Sequence, residues 1–212
     1  EPRAMRRWHA VLLLIAAIAV FFRSILLGKA FLWEDFLRQV YPFRHFAATS
    51  LARGELPLWN PFAFAGMPFQ ADIQSAVFYL PHLLLTPFAW DGSLSFYALE
   101  VMVIAHYAIA AVGMFALARD SGLARSYATF SGLVYALSGF MIVRAIHPGF
   151  VEQAAWLPWI ILCLQRALQR RSTGYALMTG LLTGHAILAG APQISLYTFV
   201  LIGCYALYFL LS

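Results

Sequence analysis

The chain has 212 residues, of which 62% are hydrophobic, 16% are aromatic and only 11% are charged, and its mean hydropathy is +0.76. A typical soluble domain is about half apolar and about a quarter charged. Too few polar side chains are therefore present to cover a water-soluble globule. The composition also excludes a disordered chain, a coiled coil and a disulfide scaffold, and it leaves a polytopic helical membrane protein.

The formal charge of +5 arises from 14 basic and 9 acidic residues. In a soluble chain this balance would suggest nucleic-acid binding. Here the arginines lie between apolar runs, which is typical of topology signals in a membrane protein. We therefore expect the lipid bilayer as a partner and no nucleic acid.

Apolar runs of about 20 residues predict membrane-spanning helices. The first run follows Arg3, Arg6 and Arg7, which places the N-terminus in the cytoplasm. A cleaved signal peptide is the alternative, but Arg23 within the run disfavours it. Six spans are predicted, at residues 8–27, 94–118, 127–146, 151–168, 174–189 and 196–211. If successive spans cross the membrane in alternate directions, eight of the 14 basic residues lie in short segments on the cytoplasmic side.

The predicted organisation is one transmembrane domain over residues 1–212, with a long outer loop at 28–93 and five further spans over 94–212. This loop holds six of the ten prolines and five of the nine acidic residues. It is rich in aromatic residues, so we expect a subdomain close to the membrane with a helix at 34–52 and a broken interfacial segment at 75–90. The chain starts at Glu1 and stops inside an apolar run, which suggests a piece of a longer protein.

The first polar cluster follows the first span. Asp35, Arg38, Gln39 and Pro42 have the spacing i, i+3, i+4 and i+7, which places them on one face of an α-helix. A carboxylate that is partly desolvated by aromatic residues could serve as a general base. An ordinary surface ion pair between Asp35 and Arg38 is the alternative.

The second cluster lies in a segment dense in proline and glycine. That backbone would present Trp59, Asn60 and Gln74 on turns. Aromatic rings beside amides suit a sugar, because the ring covers its apolar face and the amides bind its hydroxyl groups. An aromatic belt at the water interface is the alternative.

The third cluster flanks the second outer turn. Arg144, His147 and Glu152 lie at the predicted membrane level of Asp35, and a cation here could hold a phosphate. Alternatively, Arg144 extends to the interface and His147 only forms the turn. Glu100, near the outer end of its span, could reach the same cavity.

Within the spans, polar groups and glycines predict contacts between helices. His106 and His185 are expected to form interhelical hydrogen bonds. Gly180 and Gly184 form a GxxxG pattern, which predicts close helix packing.

An ordered set of motifs covers most of the chain, from about Trp33 to Tyr197. The set is Asp35-x-x-x-Gln39-x-x-Pro42, Gly54-x-Leu-Pro-Leu-Trp59-Asn60-Pro61, Gly66-x-Pro-Phe69, Gln74-Ser-x-x-x-Tyr79-x-Pro81, Ser138-Gly-Phe140 with His147, Trp156-Leu-Pro158, and Gly190-Ala-Pro-Gln193 with Tyr197. It resembles the bacterial YfhO-like membrane proteins. That family is similar to the GT-C class of glycosyltransferases, which use polyprenyl-phosphate-linked sugars at the outer membrane face.

The resemblance implies an all-α, GT-C-like bundle and a glycosyltransferase of the bacterial inner membrane. An acidic residue in the first outer loop is the base of that class, and it matches Asp35, with Glu34 as the near alternative. The implied partners are a polyprenyl-phosphate sugar donor and a cell-envelope glycan or lipid acceptor. One departure is Ala191, which stands where a histidine is expected.

The candidate substrate-binding residues are Arg38, Gln39, Trp59, Asn60, Gln74, Tyr79, Glu100, Arg144, His147, Glu152 and Gln193. No cofactor and no metal-ligand spacing is predicted, although a divalent metal stays open. A non-enzymatic transporter or lipid-binding scaffold is the alternative function.

Overall fold

The computed structural model describes residues 7–30 and 35–211, and it is 77% helical. The helices are α1 (Arg7–Phe21), α2 (Arg23–Leu26), α3 (Tyr41–Ala52), α4 (Leu80–Leu83), α5 (Phe96–Asp120), α6 (Arg125–Ala136), α7 (Gly139–Val143), α8 (Pro148–Arg170), α9 (Thr173–Ile187) and α10 (Pro192–Leu211). Two short strands, β1 (Trp59–Asn60) and β2 (Met67–Pro68), pair antiparallel. The predicted all-α class is confirmed.

Three stretches of helix in the described chain are long and apolar enough to cross a membrane, at Phe96–Asp120, Arg125–Ile146 and Pro192–Leu211. The predicted number of six spans is therefore wrong. The helices α1 and α9 have only 15 residues each, against the roughly 20 that the hydrocarbon core requires. The helix α8 has 23 residues, but its polar side chains dilute its hydropathy, and several of them are buried against its neighbours.

The centre of the bundle is formed by α5 and α8. The helix α5 packs against α1, α6 and α8, and α8 also packs against α9 and α10. Two glycines allow this close approach, because a Cβ atom at Gly132 would lie 2.6 Å from the Ala111 carbonyl oxygen and one at Gly113 would lie 2.4 Å from Trp159 Nε1. By contrast, a Cβ atom at Gly180 or Gly184 would meet no atom within 4 Å. The GxxxG prediction is wrong for the described bundle, because that face of α9 has no helix against it.

The long segment between α2 and α5 folds into short turns around α3. Phe43 and Ala47 of α3 form a small buried cluster with Phe69 and Val77. The predicted helix over 34–52 is confirmed from Phe36 onward, and Glu34 lies outside the described residues. Prolines near the starts of its short helices keep the region at 75–90 broken, as predicted.

The start of this helix is a π-helical turn over Phe36–Val40. Its i→i+5 hydrogen bonding changes the angular spacing of the side chains relative to an α-helix. As a result, Gln39 lines one cavity while Arg38 and Pro42 line another. The four residues predicted to share one face therefore do not line a common cavity.

Candidate functional site

The candidate site is built around a contact between Asp35 and His147. Asp35 Oδ2 and His147 Nε2 are 2.9 Å apart, although the two residues are 112 positions apart in sequence. Asp35 lies immediately before the π-helical turn, and His147 lies immediately before Pro148, the first residue of α8. A proline at the first helical position favours the start of a helix there, so His147 lies directly before the first turn of α8.

Both partners of this pair remain accessible. The side chain of Asp35 is 55% exposed and that of His147 is 34% exposed. His147 Nδ1 is nevertheless buried, and it has no hydrogen-bond partner among the described residues. One ring nitrogen is therefore bonded to the carboxylate, while the other lies within the protein.

A second contact joins the same two regions of the chain. Gln39 Nε2 donates a hydrogen bond of 2.6 Å to Gln74 Oε1. Both amides line a cavity of about 50 Å³ together with Phe43, Arg44 and His147. A cavity of this size holds a few water molecules and is too small for a sugar.

Arg44 is the buried cation of the site, and sequence reasoning did not single it out. Its side chain is 4% exposed, and its Nη1 donates to the carbonyl oxygens of Gln74 and Ser75. Its Nε has no hydrogen-bond partner in the described chain. Burial lowers the pKa of Arg44, while the nearby Glu152 carboxylate opposes that shift. The only sequence signal for Arg44 was a charge within an apolar segment.

Glu152 is fully buried and pairs with His82. Glu152 Oε1 and His82 Nε2 are 2.9 Å apart, and His82 Nδ1 lies 3.2 Å from the Ala76 carbonyl oxygen. Burial, assisted by the positive charge of Arg44, lowers the pKa of His82. The structure therefore makes Glu152, about one turn into α8 from His147, a buried partner of His82, and His82 is a residue that sequence reasoning missed.

Tyr79 is the centre of a further buried network. Its hydroxyl group lies 2.7 Å from His106 Nε2 and accepts a hydrogen bond of 2.7 Å from Trp156 Nε1. The ring of His185 stacks on Tyr79 with 4.8 Å between the ring centroids. Burial raises the pKa of Tyr79, so its hydroxyl group stays protonated. His106 thus bonds Tyr79, which precedes α4 and is not part of a helix, and His185 makes a ring contact, so the predicted hydrogen bonds between helices are not what the structure shows for either residue.

Several predicted residues lie elsewhere. Trp59 is 57% exposed, and a Cβ atom at Gly66 would lie only 2.7 Å from its ring. Asn60 is buried, and its Oδ1 accepts a hydrogen bond of 2.9 Å from the Phe62 backbone, which is a turn-forming contact. Gln193 donates to the Tyr197 hydroxyl group one helical turn further along α10.

The remaining predictions are also placed by the structure. The Arg144 guanidinium lies 4.8 Å from the ring centroid of Phe150, next to His147. Glu100 is buried in α5, at 2% exposure. Ala191, at the position where a histidine was expected, is fully buried. Within residues 7–30 and 35–211, no three His, Cys, Asp or Glu side chains lie close enough to hold a metal ion.

Two larger cavities border the site. One of about 670 Å³ lies on the other side of α3 and is lined by Arg38, His45 and Asn60 with phenylalanine rings. The other, of about 480 Å³, is an apolar groove beside α5 that reaches His106 and Trp156. Both have the volume of a typical ligand pocket, about 300–1,000 Å³.

Comparison with known proteins adds no assignment. No family model, no curated protein and no solved structure matches this chain. The resemblance to YfhO-like proteins therefore stays a prediction that rests on the motifs.

Proposed function

We propose that this chain forms the catalytic region of a GT-C-like glycosyltransferase of the bacterial inner membrane. It would transfer a sugar from a polyprenyl-phosphate donor to a cell-envelope acceptor at the outer face. The end of the bundle that carries Asp35 would face outward, and the N-terminus would lie in the cytoplasm.

The observation that carries this proposal is the hydrogen bond between Asp35 and His147. A general base must be held in place while staying accessible to its substrate. His147 occupies Oδ2 of Asp35 and orients the carboxylate. The other carboxylate oxygen would take the proton from the acceptor hydroxyl group. The acceptor oxygen would then bond to the anomeric carbon as the bond from that carbon to the phosphate oxygen breaks, which inverts the anomeric configuration.

The departing phosphate gains negative charge and needs hydrogen-bond donors to stabilise it. Arg38 lines the 670 Å³ cavity, Arg44 lines the small cavity, and Arg144 lies three residues before His147. Charge-assisted hydrogen bonds from guanidinium groups stabilise phosphate oxygens. The larger cavity has room for a sugar and contains Asn60, whereas the small cavity does not.

The apolar groove beside α5 suits the lipid part of the donor. Its walls include Leu84, Phe88 and Val101, and its inner end reaches His106 and Trp156. A polyprenyl chain would bury apolar surface along these walls at roughly 25 cal/mol per Å². The polyprenyl chain would then lie next to the buried network of Tyr79.

A transporter or lipid-binding scaffold is the second candidate function. The observation that favours it is the buried network of Tyr79, His106 and Trp156 among the helices. Transporters hold polar groups at such positions in the bundle interior.

One pair of assays on the full-length protein separates the two candidates. In proteoliposomes, a labelled polyprenyl-phosphate sugar is supplied and incorporation into an acceptor is measured, alongside counterflow of the free sugar. The enzyme predicts incorporation without counterflow. Counterflow without incorporation would refute the glycosyltransferase.

A further inference from the structure

The opposite end of the bundle contains a second, strongly basic cavity. It measures about 280 Å³ and gathers side chains that come from four helices. The arginines that line it are Arg7, Arg119, Arg125 and Arg166. These residues belong to the start of α1, the end of α5, the start of α6 and the last part of α8.

Among the described residues that line this cavity, Asp120 is the one carboxylate, and it is already bonded. Arg166 Nε and Nη2 both donate to Asp120 Oδ1, at 2.9 and 2.8 Å. Gln165 Nε2 donates to Asp120 Oδ2 at 3.0 Å. Among the described residues that line the cavity, basic side chains therefore outnumber acidic ones. This excess favours a bound anion.

Part of the lining of the same cavity is apolar. Phe115, Trp159 and Leu162 form this apolar wall. Trp159 Nε1 donates to the Ile109 carbonyl oxygen at 3.0 Å, and the indole packs directly over Gly113. The cavity is therefore cationic at its rim and apolar toward the centre of the bundle.

We propose that this cavity binds the phosphate group of an anionic phospholipid from the leaflet at the arginine end. A topology signal requires only that basic residues lie in the loops on one side, and it does not require four helix ends to converge on one cavity. Guanidinium groups recognise a phosphodiester through charge-assisted hydrogen bonds. The apolar wall matches the start of the acyl chains. This inference does not depend on the proposed glycosyltransferase activity.

The test measures lipid retention by the full-length protein. The protein is extracted from vesicles of phosphatidylcholine mixed with phosphatidylglycerol, and native mass spectrometry counts the lipid of each kind that stays bound. The double variant Arg7→Gln/Arg119→Gln removes two rim charges but leaves the bonds between Arg166 and Asp120. Arg171→Gln is the matched control, because Arg171 is exposed, follows α8 and does not line the cavity.

We expect wild type and Arg171→Gln to retain phosphatidylglycerol over phosphatidylcholine. Retention by the double variant should fall about tenfold or more, since a hydrogen bond to a charged group typically contributes enough for a tenfold change in affinity. Arg7→Lys/Arg119→Lys should retain most of the binding, which separates lost charge from lost folding. Gel filtration checks that each variant stays monodisperse.

Three results would overturn the proposal. They are equal retention of both lipids by wild type, an equal loss in Arg171→Gln, and wild-type protein that is stabilised by inorganic phosphate in detergent but retains no phosphatidylglycerol. The last result would assign the cavity to a soluble anion instead of a lipid.

Discussion

At the residue scale, the two acid–histidine pairs differ in burial and therefore in role. The Asp35–His147 pair is partly exposed, whereas the side chains of Glu152 and His82 are 0% and 6% exposed. Exposed pairs contribute little to stability, while a buried pair becomes costly when one partner is removed. The accessible Asp35–His147 pair can contact a substrate, whereas the buried Glu152–His82 pair stabilises the fold.

His82→Leu should strongly destabilise the protein. The substitution leaves the Glu152 carboxylate buried without its partner, and we expect a loss of about 3–5 kcal/mol in the free energy of unfolding. Denaturant unfolding in detergent measures it. Arg53→Leu is the control, because the Arg53–Glu55 pair is exposed and its loss should change stability by less than about 1 kcal/mol. Similar losses in the two variants would contradict the structural role of the buried pair.

Stability should also fall as the pH is lowered through about 6.5. Because burial lowers the pKa of His82 in the folded state, protons bind the unfolded state more tightly in this range, so acid favours unfolding. The stability that neutral His82 contributes is complete above the pKa of the unfolded state, and it is lost as the pH falls below that value. His82→Gln should flatten the dependence of unfolding on pH between 7 and about 5. An unchanged slope in His82→Gln would refute this assignment.

His147 should act as a positioning residue for Asp35. In His147→Gln the carboxylate loses its imidazole partner, and we expect the transfer rate to fall by up to about 100-fold. The turnover number should fall while the KM for the donor changes little, because in the proposed mechanism His147 orients the base and is not required for donor binding. A raised KM with an unchanged turnover number would contradict the positioning role.

At the element scale, one turn brings α9 and α10 against the site. Gly190 lies between these helices with a φ of +88°, and a Cβ atom there would be 2.4 Å from the Ile73 carbonyl oxygen. Gln74, which follows Ile73, bonds both Gln39 and Arg44. The position of this turn therefore depends on the absence of a side chain.

Gly190→Ala should accordingly destabilise the protein and loosen the site. Strain from the positive φ alone costs about 1–3 kcal/mol, and the clash adds to it. Gly180→Ala is the matched control, because that helical position has open space and alanine is favoured over glycine there by roughly 1 kcal/mol. Thermal unfolding of both variants in detergent checks this. If Gly190→Ala unfolds at the same temperature as the wild type, the turn at Gly190 does not contact the turn at Ile73 as described.

The sequence predicts the helices well and their lengths less well. Apolar runs located all six long helices, but they gave no means of telling that α8 would bury Glu152 and Gln153 instead of presenting an apolar surface. The π-helical turn at Phe36–Val40 rests on local backbone geometry that an α-helical spacing rule does not include. Arg38 and Gln39, which are neighbours in this turn, line different cavities.

The sequence predicts several residues of the candidate site, but it does not predict which residues bond to one another. Motif spacing selected Asp35, His147 and Gln74, which the structure places near one another. His82 and Arg44 were missed because their partners lie 70 and about 30 residues away, and only the fold brings such groups together. A buried histidine or arginine carries no local pattern that identifies its partner.

At the scale of the whole molecule, the two polar sites lie at opposite ends of α8. At about 1.5 Å per residue, the rise from Pro148 to Arg166 is about 27 Å, close to the hydrocarbon thickness of a bilayer, about 30 Å. Asp35 and His147 mark one end, and the basic cavity marks the other. The proposed glycosyltransferase requires such a separation between its outer site and its cytoplasmic end.

The proposed activity depends most directly on Asp35 as the general base. The most direct measurement is the rate of sugar transfer from a polyprenyl-phosphate donor by Asp35→Asn in the full-length protein. Asp91→Asn is the matched control in the same segment, because Asp91 only accepts a hydrogen bond from the Ser93 backbone and asparagine can do the same. We predict that Asp35→Asn lowers the rate by about 100-fold or more with normal expression and membrane insertion, while Asp91→Asn retains activity. Full activity in Asp35→Asn would contradict the account.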